Sequence, residues 1–174
     1  MRKVNVAPYD AQWPVLFANE AQEIKRILDE ELLDTHHFGS TSIPDMAAKS
    51  IIDILAVVKD IELIDACNPK LQAIGYEGKG ENGIPGRRYF QKGGDERTQH
   101  LHIYQVGSPK IERHLVFRDY LRAHPAVAKE YGELKIRLGK QFPYDIDSYI
   151  NGKEGLATEI QRQALGWRRS QKEK

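Results

Sequence analysis

Cysteine is almost absent from this sequence: Cys67 stands alone among 174 residues. A single thiol closes no intramolecular disulfide, so the fold must be held by its core, and a reducing compartment suits it. No apolar run approaches the roughly 20 residues that cross a bilayer, and the opening MRKVNVAPYD has no apolar signal core. Net charge is scarce too. Lys and Arg number 26 against 25 Asp and Glu, a formal balance of +1. Surfaces that coat extended nucleic acid are markedly basic, so no such partner is expected. Internal repeats and low-complexity segments are missing as well. These absences leave the expectation of a soluble, cytoplasmic protein without a membrane partner, large enough for a real core.

What is present is a change of regime along the chain. Residues 11–33 place Phe17, Ala21, Ile24, Ile27, Leu28 and Leu32 at helical spacing, which predicts a long amphipathic helix with Pro14 in its first turn. Trp13 and Phe17 are expected to pack in the core. Residues 35–38 read as a first strand and residues 51–58 as a second, fully buried one. Between them a Ser/Thr-rich turn with Pro44 leads into a small-residue helical segment up to Lys49. Residues 60–67 read as a helix, Asn68-Pro69 as the start of another, and Gly75 as its stop. Further strands are expected from Tyr76, over residues 87–92 and over residues 100–106. A mobile glycine-rich loop at 78–86 and a hairpin turn at Gly93-Gly94-Asp95 separate them. From Ile111 onward the patterns are helical, and the charged end RRSQKEK is expected to fray. The division that follows is residues 1–108 as an α/β core with an N-terminal helix, and residues 109–174 as a helical part packed on it.

The oddity is Asp53, which interrupts the apolar run 51–58. A carboxylate inside a buried strand demands a partner. The string HLHIY places His100 and His102 on one face of a strand. If that strand borders the Asp53 strand, one carboxylate and two imidazoles converge. They would serve as ligands for a transition metal, or as a hydrogen-bonded cluster in which a histidine is the general base. The ordinary alternative is a pair of half-buried histidines satisfied by backbone or by Asp53 itself.

Other residues suit an anion. Gly39, Ser40, Thr41 and Ser42 offer backbone N–H groups and hydroxyls in the manner of a phosphate-binding turn, or else they cap a helix. Lys49 either adds positive charge there or is a solvated surface lysine. Arg88 and Arg118 are the arginines favoured as bidentate clamps, the alternative being internal ion pairs such as Arg118 with Asp119. Cys67 is read as a packing residue rather than a nucleophile.

The string GSTSIP at 39–44 followed by AAKSIIDI at 47–54, with YDAQWP before it and FRDYLRAHP and YGELK after it, resembles the GrpB-like family of the nucleotidyltransferase superfamily. The resemblance covers nearly the whole chain. It implies an α/β (α+β) fold: a nucleotidyltransferase-like mixed sheet of about five strands with flanking helices and a C-terminal helical layer. It also implies that the turn at 39–42 holds nucleotide phosphates. An NTP and a divalent metal (Mg, Mn or Zn) would then serve transfer of a nucleotidyl group to a small acceptor. The superfamily supplies three carboxylates, two of them alternating on one strand, whereas here Leu55 stands two residues after Asp53 and cannot bind a metal. Two further functions are therefore carried forward. One is a non-catalytic module for a nucleotide or another small anionic ligand. The other is a mononuclear-metal phosphoester enzyme using Asp53 with His100 and His102.

Overall fold

Apolar spacing along the chain switches from a period of about 3.6 to about 2 and back, and the elements follow it. The computed structural model describes residues 3–172. In chain order these form β1 (Val6–Ala7), α1 (Trp13–Leu28), β2 (Leu32–Phe38), β3 (Ala48–Lys49), β4 (Ile52–Val58), α2 (Asn68–Ala73) and β5 (Tyr76–Gly78). Then come β6 (Arg87–Lys92), β7 (Gln99–Gln105), α3 (Pro109–Ala123), α4 (Pro125–Gln141) and α5 (Ile146–Lys172). They gather into two compact units. A sheet unit comprises residues 11–38 and 51–111, and a helical unit comprises, among the described residues, 3–10, 39–50 and 112–172.

The sheet unit is a five-stranded mixed sheet in the order β2-β4-β7-β6-β5. β4 runs parallel to β7, and the other neighbours are antiparallel. Parallel partners need a long connection, which here carries α2, β5 and β6. Strand alternation gives the sheet two unlike faces. On one, Ile52, Ile54, Ala56 and Val58 line up with Leu101 and Ile103, none more than 1% exposed. His37, in register with Ile54, stacks on Phe17 of α1 at 5.0 Å between ring centroids, so α1 covers this face. The opposite face carries Asp53.

Three local expectations are corrected. The first helix ends at Leu28 instead of running to 33, because Asp29 takes a positive φ of 50° and the acidic stretch Asp29–Glu31 tightens into a 3-10 turn. Residues 61–67 form a 3-10 segment opened by the Asp60 side chain, which accepts from the Glu62 amide at 3.0 Å. No helix forms between Pro44 and Lys49: a 3-10 turn at Ser40–Ser42 is followed by Asp45 at a φ of 65° and then by β3. Gly75, at a φ of 100°, does stop α2 as expected.

In the helical unit β1 pairs antiparallel with β3. Ile43, Met46, Val116, Tyr120, Leu121, Tyr131 and Ile160 form its main core, and Val4, Leu138 and Tyr149 a second one. Close approach is built in by glycine: a Cβ at Gly152 would lie 2.6 Å from Leu138 Cδ2. α5 continues through Lys172, so the charged end is helical that far, while Met1, Arg2, Glu173 and Lys174 lie outside the described residues. Among the described residues no helix is long and apolar enough to cross a membrane.

Candidate functional site

Register assembles a polar centre on the sheet. The parallel pairing sets Asp53 beside His100 and Leu55 beside His102. β6 adds Gln91 against His100 and Tyr89 against His102, and β2 places Phe38 opposite Asp53. Directly paired residues share a face. Asp53 Oδ1 lies 3.5 Å from His100 Nδ1 and 3.6 Å from His102 Nε2. Aromatic rings enclose the imidazoles, with Tyr89 edge-on to His100 and His102 at 5.7 and 5.2 Å and Phe38 edge-on to His102 at 4.9 Å.

Burial by itself would raise the Asp53 carboxyl. Hydrogen bonds from His100 and His102, reinforced by their charge when protonated, outweigh it and hold the group well below the usual carboxylate range. For His102 burial wins, lowering its pKa against the pull of Asp53. The centre is thus an ionised carboxylate beside a neutral His102.

Arg87 completes it, where the sequence, which offers Arg87 and Arg88 side by side, favours Arg88. Arg87 is 6% exposed. Its Nε donates to the Glu81 carbonyl at 3.2 Å and its Nη2 to the Asn82 carbonyl at 2.9 Å, while Nη1 reaches His102 Nδ1 at 3.3 Å. A guanidinium only donates, so His102 Nδ1 accepts and the proton of the neutral ring sits on Nε2, facing Asp53. Arg88, one residue on, turns to the other face, where its Nε donates to Asp65 Oδ1 at 2.8 Å with Glu62 at 3.7 Å. Strand parity separates the two arginines, and the register on β7 decides which joins the site: Arg87, Tyr89 and Gln91 pair with Tyr104, His102 and His100.

Ligand atoms of Asp53, His100 and His102 all lie within 4.8 Å of one another, close enough for one ion. Two magnesium ions do not fit, since they require oxygen ligands and Leu55, fully buried, occupies the position of a second acid. Arg87 bears on the single-ion case as well. A metal on His102 Nε2 needs the ring proton on Nδ1, the atom to which Arg87 donates.

The helical unit holds the remaining candidates except Arg88. Gly39 adopts φ 72° and ψ −174°, a conformation that essentially only glycine takes. The turn after it is inward-looking. Thr41 and Ser42 are buried, and the Ser42 hydroxyl donates to the Gly39 carbonyl, leaving Ser40 as the half-buried member. Arg122 Nε donates to the Ser42 carbonyl at 3.0 Å. Arg118 is held by Asp119 at 2.9 Å, and Arg168 shares that carboxylate at 2.6 Å. Lys49 sets its Nζ 5.2 Å over the Tyr149 ring. A cavity of about 450 Å³ opens between residues 43–47 and α3 and α4, with Arg122 and Gly132 in its wall. In the sheet unit, burial raises the Cys67 thiol, which makes it a poor nucleophile.

The GrpB protein family matches residues 3–163. UPF0157 protein YqkA of Bacillus subtilis is 49% identical over 168 residues, covering 97% of this chain, which spans only 49% of that relative's length. The crystal structure of conserved protein GrpB from Enterococcus faecalis matches with a TM-score of 0.90 at 45% identity, covering 93% of this chain and 98% of that one. Cid1 poly(U) polymerase with Mg 3′-dATP bound matches with a TM-score of 0.53 at 15% identity, covering 76% and 42%, a likeness of fold alone. The strings around Gly39 and Asp53, the mixed sheet they enter and these matches agree: the chain belongs to the GrpB family, on a nucleotidyltransferase-like fold.

Proposed function

We propose that this protein acts on a nucleotide or another small phosphorylated ligand through an Asp53–His100 acid–base pair, in place of the two-metal transfer used by carboxylate-rich relatives of its fold. One observation carries the reading. Asp53 Oδ1 lies 3.5 Å from His100 Nδ1, while His100 Nε2 is buried and has no hydrogen-bond partner among the described residues. A carboxylate that accepts from Nδ1–H selects the tautomer whose Nε2 carries a lone pair. That nitrogen takes the proton of an acceptor hydroxyl as its oxygen attacks phosphorus, and returns a proton to the leaving oxygen. His102, held between Arg87 and Asp53, positions the carboxylate. In the helical unit the groups suited to phosphate are the backbone of Gly39, Ser40 and Thr41, together with Lys49. Arg88 and Arg118 would first have to exchange a carboxylate for a phosphate.

A second reading is favoured by the close approach of the three ligand atoms. In it Asp53, His100 and His102 hold one Mn or Zn ion, which when bound supplies Lewis-acid polarisation of a phosphoryl oxygen.

The test is a thermal-shift screen of the four NTPs with and without Mg, Mn and Zn. Metal analysis and an assay of pyrophosphate release with small hydroxyl acceptors accompany it, on wild type, Asp53→Ala and His100→Asn. NTP binding that survives His100→Asn while turnover is lost supports the acid–base pair. Metal retained through dialysis and lost in Asp53→Ala supports the mononuclear centre. Stabilisation without turnover in any condition overturns both in favour of a non-catalytic binding module.

A further inference from the structure

Along α4 the residues Ala128, Tyr131, Lys135 and Leu138 form one buried stripe. Three of them belong in a core. The fourth is a lysine only 1% exposed, whose Nζ has no hydrogen-bond partner among the described residues. It sits 4.9 Å over the Tyr131 ring. Lys49 from β3 and Lys153 from α5 each set an ammonium 5.2 Å over the ring of Tyr149. Tyr149 is itself fully buried, and its hydroxyl likewise lacks a partner. Burial and the like charges of Lys153 and Lys49 both bear on Lys135.

Such a cluster is a poor device for stability. An unpartnered buried polar group destabilises the folded state, and an apolar side chain would fill the stripe without that cost. The contact with Tyr131 offsets only part of this, since a ring face is a weaker acceptor than an oxygen. What three amines and a tyrosine hydroxyl have in common is that all of them donate hydrogen bonds. Their complement is an oxyanion with several acceptor oxygens.

We propose that Lys49, Lys135, Lys153 and the Tyr149 hydroxyl form a binding site for a phosphate group, carried either by an inorganic (poly)phosphate or by a nucleotide. Without the anion, burial and the charges of Lys153 and Lys49 push Lys135 down to about 6, so the amine is neutral at neutral pH. Burial pushes Tyr131 up to about 12 and raises Tyr149 as well, so neither ring brings negative charge. The bound phosphate supplies the opposite charge, and Lys135 takes up a proton as it binds. None of the four residues belongs to the Asp53–His100–His102 set; Lys49 alone is shared with the phosphate groups of the acid–base reading, so Lys135 and Lys153 test this site apart from it.

The experiment is titration calorimetry of the full chain at neutral pH with inorganic phosphate, tripolyphosphate and ATP, each in two buffers of different ionisation heat. Tripolyphosphate binding with net proton uptake is the expected result. ATP binding more tightly than tripolyphosphate assigns the site to a nucleotide, and the reverse order assigns it to the inorganic anion. Lys135→Met, which removes an unpartnered amine and should fold at least as well as wild type, loses about tenfold or more in affinity together with the proton uptake. Lys153→Gln weakens binding and reduces the uptake. Asp53→Ala leaves tripolyphosphate binding unchanged. Unaltered affinity in Lys135→Met, or no binding of any of the three probes at millimolar concentration, overturns the site.

Discussion

Asp53 and Lys135 are both ionisable side chains set in otherwise apolar stripes, one on a strand and one on a helix. Asp53 meets two imidazoles, and behind them Arg87, which is anchored by the carbonyls of Glu81 and Asn82. Lys135 meets an aromatic ring and the repulsion of two further lysines. The first group is closed around the acid: Asp53 has both imidazoles beside it, and Arg87, behind His102, is anchored by two carbonyls. The second is open around Lys135, whose Nζ has no hydrogen-bond partner among the described residues. A closed network is preorganised for proton transfer and suffers when a member is removed. An open one tolerates the loss of its central member, even gains from it, and becomes complete only around a ligand.

Substitutions can break this contrast. Asp53→Ala should have the largest effect, because it leaves Arg87 and the imidazoles facing one another without an acid. A loss of about 2–4 kcal/mol is expected in urea melts. A loss under about 1 kcal/mol would mean that the members do not depend on one another. Lys135→Met should go the other way, gaining about 1–3 kcal/mol at neutral pH. Its sign follows from linkage. The folded value of Lys135 is about 6 against an ordinary 10.5. The penalty on the folded state is therefore full below pH 6 and fades as pH rises from 6 to 10.5. Melts across that window should show the advantage of the variant greatest in acid and shrinking steadily toward alkaline pH. A constant difference would place the Lys135 amine in a solvated setting. Arg87→Met has the smallest expected effect on stability, about 1–2 kcal/mol. It sharpens the comparison by another route. With His102 Nδ1 released, the ring is free to carry its proton there, and Zn affinity by equilibrium dialysis should rise. Unchanged affinity would remove the tautomer argument against a metal at His102.

Much of the fold is legible in the residues. β6 covers the stretch 87–92 read from alternation, β7 is displaced by one residue from the reading 100–106, and the three C-terminal helices follow the apolar periodicity. What escapes is local. Periodicity alone does not reveal that Asp29 will leave the helical region, or that residues 61–67 will tighten to 3-10 geometry. Alternation in HLHIY supplies the shared face of the two histidines, and the isolation of Asp53 in its apolar run marks it as unusual. That the two strands are neighbours comes from a parallel pairing across the intervening α2, β5 and β6, a relation that no short window contains. Arg87 and Arg88 are equivalent in a string and opposite on a strand, so choosing between them required the register of β6 on β7. Lys135 was in plain view within YGELK. A lysine near a tyrosine on an amphipathic helix is normally assigned to solvent, and only the packing around Tyr131 and Tyr149 reverses that.

The helical unit is stitched together from three separate lengths of chain. Lys49 emerges from the ribosome with the first of the inner strands, long before Lys135 and Lys153 are made. A nascent chain, or one cut short ahead of α5, therefore lacks part of the lysine cluster whatever else it has folded. Expressing the last third alone would leave Lys49 behind, so any attempt to isolate this cluster on a smaller piece must carry the early segment with it.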